Sequence, residues 1–213
     1  MRQPESYRRR GPIREPYDYV LIVCEGKKTE PNYFYGLCRT YRLSSANIEI
    51  VQPGATDPVN IVGHAEQRLR EAGFDRAYCV FDRNGHTNYN QALRHVRESE
   101  HGKNGRLFAI TSVPCFEIWI LLHFMYTSSP FVRVGSQSAC DRVIVEVRRH
   151  LSGYTKGDQG VYAALAPYIP QAITYATRLQ YENARTGSFN PETQMHKIVD
   201  YLRNLRQTSN PQR

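Results

Sequence analysis

Residues 19–30 read YVLIVCEGKKTE, a run of six apolar or aromatic residues that stops at an acid, a glycine and two lysines. Half-buried strands alternate apolar with polar residues, whereas a strand covered by helices on both faces of a parallel sheet has no reason to alternate. The run therefore predicts an inner strand of an α/β sheet. Gly26 permits a sharp turn after it, Thr29 is placed to cap a helix, and Pro31 is tolerated in that helix's first turn because its missing N–H would have lacked a partner there anyway. Glu25 then stands at the C-terminal end of a central strand, the edge at which open α/β sheets bind their ligands.

The rest of the chain repeats the pattern. Residues 32–43 form an amphipathic helix carrying Tyr33, Phe34, Leu37 and Tyr41, and residues 47–52 read as a second, less buried strand that Pro53-Gly54 ends. Asp57-Pro58 opens a helix to about Ala72; residues 76–81 form a third buried strand that ends in Asp82. A helix over 88–98, a fourth strand over 106–111 and an apolar helix over 114–124 follow. This alternation predicts a Rossmann-like, doubly wound α/β core over residues 17–135, with a mostly parallel four-stranded sheet. From 136 to 213 the pattern is helical, over 137–151, 159–184 and 191–206, with no convincing strand, and predicts an α-helical extension packed on the core. Residues 1–16 hold Arg8, Arg9, Arg10 and Arg14 among three prolines and bury too little to fold alone, so they read as a disordered basic tail.

Lysine and arginine outnumber the acids 28 to 20, a net charge of +8 that favours a phosphate-rich partner, nucleic acid first. The longest apolar stretch, residues 118–125, is interrupted by His123 and is too short to span a membrane, and no secretory signal is apparent. The five cysteines form no Cys-x-x-Cys pair and no evident disulfide framework, so buried thiols in a reducing cytoplasm are expected.

First and third strands are commonly neighbours at the switch point of a doubly wound sheet, which would bring Glu25 and Asp82 into one crevice. With Asn84 they make an oxygen-rich set that suits Mg²⁺ or Mn²⁺, and such an ion can clamp a phosphodiester and acidify a water. The same Asp-x-Asn-Gly is also a good turn sequence. Glu117 begins the helix after strand four on the same edge, where it either adds a third metal-binding carboxylate or complements the helix dipole. His86 follows closely as an acid, a base or a phosphate contact, unless it is only a solvated loop histidine. Lys27 and Lys28, just before a helix N-terminus, and Arg83, next to Asp82, are candidates to hold phosphate. Lys156, in the polar loop 154–158, is another, with Arg148, Arg149 and His150 as a basic wall. Phe116, Trp119 and His123 read as core.

These pieces together resemble the Toprim domain of topoisomerases, primases and overcoming-lysogenization-defect nucleases. Within that superfamily the chain is similar to the RloB family, through Val-Cys-Glu25-Gly26-Lys-Lys-Thr29-Glu30-Pro31-x-Tyr33-Phe34, Val-Phe-Asp82-Arg83-x-x-His86, residues 112–124 around Pro114, Glu117, Trp119 and His123, and Asn190-Pro191-x-Thr193 opening the last helix. The resemblance implies a Mg²⁺-dependent nuclease-type module acting on DNA or RNA, linked to bacterial anti-phage defence and working beside a separate ATPase subunit. It further implies Glu25 as general acid or base, or as a metal ligand, with Asp82 and Asn84 on the metal. The chain departs from the Toprim pattern at Asn84, where a second aspartate is usual. One negative charge is lost, which predicts weaker Mg²⁺ binding and leaves open a second reading, a degenerate module that binds nucleic acid or the ATPase as a regulator. A small-molecule phosphohydrolase is disfavoured by the basic charge.

Overall fold

The computed structural model describes residues 17–54, 57–83 and 85–208. The basic tail and Asn84 lie outside the described residues. The first strand, β1 (Val20–Cys24), is fully buried along its whole length, as its unbroken apolar run requires. It sits between β2 (Ile48–Val51) and β3 (Arg76–Asp82), both parallel to it, and β4 (Leu107–Val113) extends the parallel sheet beyond β3. Strand order is therefore 2-1-3-4, closed by a fifth strand, β5 (Glu192–Thr193), antiparallel to β4.

Side-chain alternation along each strand divides the core in two. Leu21, Val23, Ala77, Cys79, Phe81 and Leu107 point to one face, where α2 (Pro58–Glu71) and α3 (Tyr89–Glu98) cover them. Val20, Ile22, Cys24, Tyr78, Val80 and Ile110 point to the other, under α1 (Thr29–Thr40) and the helices that follow β4. A short α4 (Glu100–Lys103) bridges α3 to β4. The helices after β4 are α5 (Glu117–Leu121), α6 (Ala139–His150), α7 (Val161–Leu165), α8 (Ile169–Thr186) and α9 (Met195–Thr208), with a 3₁₀ turn over Ala166–Tyr168. Their buried residues, from Val143 to Leu205, belong to the same hydrophobic cluster as β1 and α1. The helical region thus completes, together with α1, one face of the core. No helix among the described residues is long and apolar enough to cross a membrane.

Four expectations need correction. The sheet has five strands, not four: the segment after Pro191 does not open the last helix but forms β5 with Glu192 and Thr193, which two residues suffice to make because β4 offers a free edge. Ser112 and Thr193 are paired there, hydroxyl to hydroxyl at 3.0 Å, and the Gln194 N–H donates to the Thr111 carbonyl at 2.9 Å. The apolar helix expected over 114–124 shortens to Glu117–Leu121, because the segment threads the core and all five residues are buried. Thr29 is not a cap but the first helical residue; its hydroxyl accepts instead from the distant Gly157 N–H at 3.0 Å. Cys115 and Cys140, expected as thiols, are joined in a disulfide, since the turn after β4 packs against the start of α6 and brings them together across 25 residues. Cys24, Cys38 and Cys79 remain free.

Core assignments agree with the sequence: Trp119 and His123 are fully buried, and the His123 Nδ1 lies 2.8 Å from the Trp119 carbonyl. Gly36 has a packing reason to be glycine. A Cβ there would lie 2.5 Å from the Tyr162 ring, so α1 and α7 meet only because the side chain is missing. Gly36→Ala, which would stabilise an exposed helix, is expected here to lower stability by about 1–3 kcal/mol through overpacking, measured by urea unfolding.

Candidate active site

All four parallel strands end at one edge, and the acids cluster there. Glu25 continues the ladder one residue past β1, its N–H donating to the Val80 carbonyl at 2.9 Å. One carboxylate oxygen accepts from the Asp82 N–H at 2.8 Å; the other lies 2.7 Å from His86 Nε2. The β1 and β3 ends are thus locked together through the Glu25 side chain. Asp82 follows on the α1 side of the sheet. Desolvation, reinforced by the negative charges of Glu30, Glu25 and Glu117, holds its carboxyl well above the usual carboxylate range.

Two more acids enter from helix starts. Glu30 lies in the first turn of α1 and is buried, 7% exposed. Its carboxylate packs on Gly26, where any Cβ would collide with it. Gly26 is required for this close approach, not for an unusual backbone angle. Burial pushes the Glu30 carboxyl up to about 7, with the charges of Glu117 and Glu25 adding to the effect and Lys156 opposing it. Glu117 opens α5 at 1% exposure; the Tyr154 hydroxyl donates to it at 3.2 Å, and the Lys156 ammonium lies 3.1 Å away.

Lys156 comes from far along the chain. Its loop is clipped to the α1 N-terminus by the bond from Gly157 to Thr29 and by Asn32 Nδ2 donating to the Gly157 carbonyl at 2.9 Å. Gly157 has φ +81°, and a Cβ on it would lie 2.8 Å from Lys28 Cβ, so a glycine is needed on both counts. The result is a cavity of about 420 Å³ walled by Glu25, Glu30, Asp82 and Glu117 and rimmed by Lys27, Lys28 and Lys156.

Of the residues singled out in the sequence, Glu25, Asp82, Glu117, Lys27, Lys28 and Lys156 therefore meet around one cavity. His86 joins through Glu25. Arg83 does not: its guanidinium stands 6.0 Å above the Tyr89 ring and lines a neighbouring cavity. Sequence reasoning assigned no role to Glu30, although it lies within the Glu-Gly-Lys-Lys-Thr-Glu stretch. The available signal was an acid in the first turn of the helix leaving the central strand, since that turn must sit on the ligand edge.

The donor set suits a hard divalent cation, being rich in carboxylate oxygen. Glu25 and Glu117 are already engaged by His86 and Lys156, but Glu30 and Asp82 form no direct ion pair among the described residues. Both carry carboxyls that resist ionising, the condition that a bound cation relieves. The ligand atoms of Cys115, Glu117 and Cys140 also lie within 4.8 Å of one another. There, however, the two sulfurs are bonded to each other and Lys156 already faces the acid.

The fold and site define an α/β protein with a carboxylate cluster at the C-terminal edge of a mostly parallel sheet. The chain belongs to the RloB-like protein family, whose model matches residues 20–202. No curated protein and no solved structure matches it.

Glu30 gives the site a pH signature. Its folded-state pKa of about 7 is above the ordinary 4.5, so its contribution to stability is present below pH 4.5 and is lost as pH rises through 7. His123 and His196, pushed down to about 4 by burial, act in the opposite direction, losing stability as pH falls from 6.5 towards 4. Comparison with Glu30→Gln isolates the acid. In chelator, the variant is expected to gain on the wild type by up to roughly 3 kcal/mol between pH 5 and pH 8 in urea unfolding. A gap that stays constant over that range would refute the assignment.

Proposed function

We propose that this protein is a divalent-metal-dependent phosphodiesterase of the Toprim nuclease type, cleaving DNA or RNA. The observation that carries the reading is the cavity in which four carboxylates and three lysines converge at the ligand edge of the sheet. Carboxylates alone would repel a phosphodiester, and lysines alone would only bind one. Both together fit a substrate whose charge is met partly by ammonium groups and partly by a metal ion held by Asp82 and Glu30.

A Mg²⁺ or Mn²⁺ ion at this site would supply Lewis-acid stabilisation of the phosphate oxygens and a more acidic water. The remaining work falls to the chain. Lys27 and Lys28, beside the α1 N-terminus, hold the non-bridging oxygens of the phosphate. Glu25 accepts the proton of the attacking water as its oxygen bonds to phosphorus, and the bond from phosphorus to the leaving oxygen breaks. His86, in contact with the Glu25 carboxylate, fixes its orientation and shares that proton, which leaves to solvent or to the departing oxygen. Glu117, paired with Lys156 here, would be a further carboxylate able to hold the ion beside Asp82 and Glu30 if Lys156 paired with a phosphate instead. Glu30 and Glu117 supply acids from other elements, so the charge missing at Asn84 is compensated. Action beside a separate ATPase subunit in bacterial anti-phage defence belongs to the same proposal and rests on the family resemblance.

A second reading, a regulatory module with a damped site, keeps one observation in its favour, the asparagine at position 84. Incubation of plasmid DNA, single-stranded DNA and total RNA with the purified protein and Mg²⁺ or Mn²⁺ separates the two. Glu25→Gln is expected to lower cleavage by about 10²–10⁴-fold with the fold intact. Silence of the wild type with cleavage gained in Asn84→Asp would favour the regulator. Silence of every variant would exclude a nuclease that acts alone.

A further inference from the structure

A second cavity of about 340 Å³ opens at the same end of the sheet but on its other face, and alternation along the strands explains why the two are separate. On β3, Asp82 points to the α1 side of the sheet; Arg83, the next residue, points to the α3 side, and its N–H is tied to the Ser112 carbonyl at 3.0 Å. On β4, Thr111 and Val113 face the same α3 side, and Ser112, between them, is in register with Asp82. The second cavity therefore begins at the residue after Asp82, across the C-terminal edge of the sheet, and continues over β4 to β5. One to two strand spacings, about 5–10 Å, is a span that a single nucleotide covers between its phosphate and its base.

The lining suits a base. Phe189 is 61% exposed and so is not held in any core; its ring has a face free for stacking. The Arg83 guanidinium over the Tyr89 ring adds a flat cationic surface. Asn90 and Gln194 each offer an amide donor and acceptor, and Glu192 an acceptor, which together match the mixed edge of a nucleobase. β5 brings Glu192 and Gln194 here, which gives this two-residue strand a role beyond closing the sheet edge. A duplex keeps its bases stacked inside, so a pocket of this kind is filled only by an unpaired base.

We infer that the cavity between Arg83, Tyr89, Asn90, Phe189 and Gln194 is a nucleobase subsite that receives an unpaired base next to the scissile phosphate, making single-stranded nucleic acid the substrate class. The inference rests on the phosphodiesterase reading above, but it is tested by binding rather than cleavage. A short fluorescein-labelled single-stranded oligonucleotide, as DNA and as RNA, is titrated with the full chain in chelator and followed by anisotropy. Phe189→Ala is expected to weaken binding by about 10-fold, Phe189→Trp to restore it, and an abasic oligonucleotide to bind the wild type as weakly as the intact one binds Phe189→Ala. Duplex of the same sequence is expected to bind more weakly than the single strand and to be indifferent to Phe189. Equal binding of intact and abasic strands, or full affinity in Phe189→Ala, would overturn the base subsite and leave the phosphodiesterase reading standing. Absence of binding to any strand would overturn the base subsite, while the phosphodiesterase reading, whose metal the chelator removes, is decided by the cleavage assay.

Discussion

Burial of β1 on both faces is the constraint on which the rest depends. Its five residues are inaccessible to solvent, so one set of helices must cover each side, and parallel neighbours with helical crossovers are the arrangement that provides them. Once the strands run parallel, their C-terminal ends and the N-termini of the following helices share one edge. Glu25 and Asp82 come from strand ends, Glu30 and Glu117 from helix starts. The acidic cavity is therefore a consequence of topology before it is a choice of side chains.

Such a cluster is unfavourable for the fold by itself. Glu30 and Asp82 are desolvated beside like charges and form no ion pair among the described residues, whereas Glu117 is paired with Lys156 and Glu25 contacts His86. The surrounding structure overcomes the repulsion with a large shared core and with specific clips: the Glu25 carboxylate on the Asp82 N–H, and the Gly157 loop on Thr29 and Asn32. Unfavourable charges held in place by a well-packed frame are what the proposed binding of a cation and a phosphate would call for, because the ligands' charges would complete the set.

The helical region after β4 is part of this frame. It covers one face of the sheet, sends Lys156 and Tyr154 to Glu117, and returns β5 to the open edge of β4. Arg83 illustrates how finely the edge is divided: a single residue step from Asp82 moves a side chain from the acidic cavity to its neighbour, since adjacent strand residues face opposite ways.

The sequence by itself determined the parallel α/β core, the covered central strand, the position of Glu25 and Asp82 at its ligand edge, and the buried Trp119 and His123. Each of these follows from local signals, an unbroken apolar run, strand and helix periodicity, or a breaker at a strand end, which act over a few residues. Tertiary structure alone decided the two-residue β5, the Cys115–Cys140 bond, the contact of Glu30 with Gly26 and the reach of Lys156 to Glu117. A strand of two residues has no periodicity to read. The Cys115–Cys140 bond and the reach of Lys156 depend on where a turn packs against distant residues, as Gly157 does on Thr29, 128 positions away, and no local pattern encodes that distance; the contact of Glu30 with Gly26 is local and is set by how the turn between them folds.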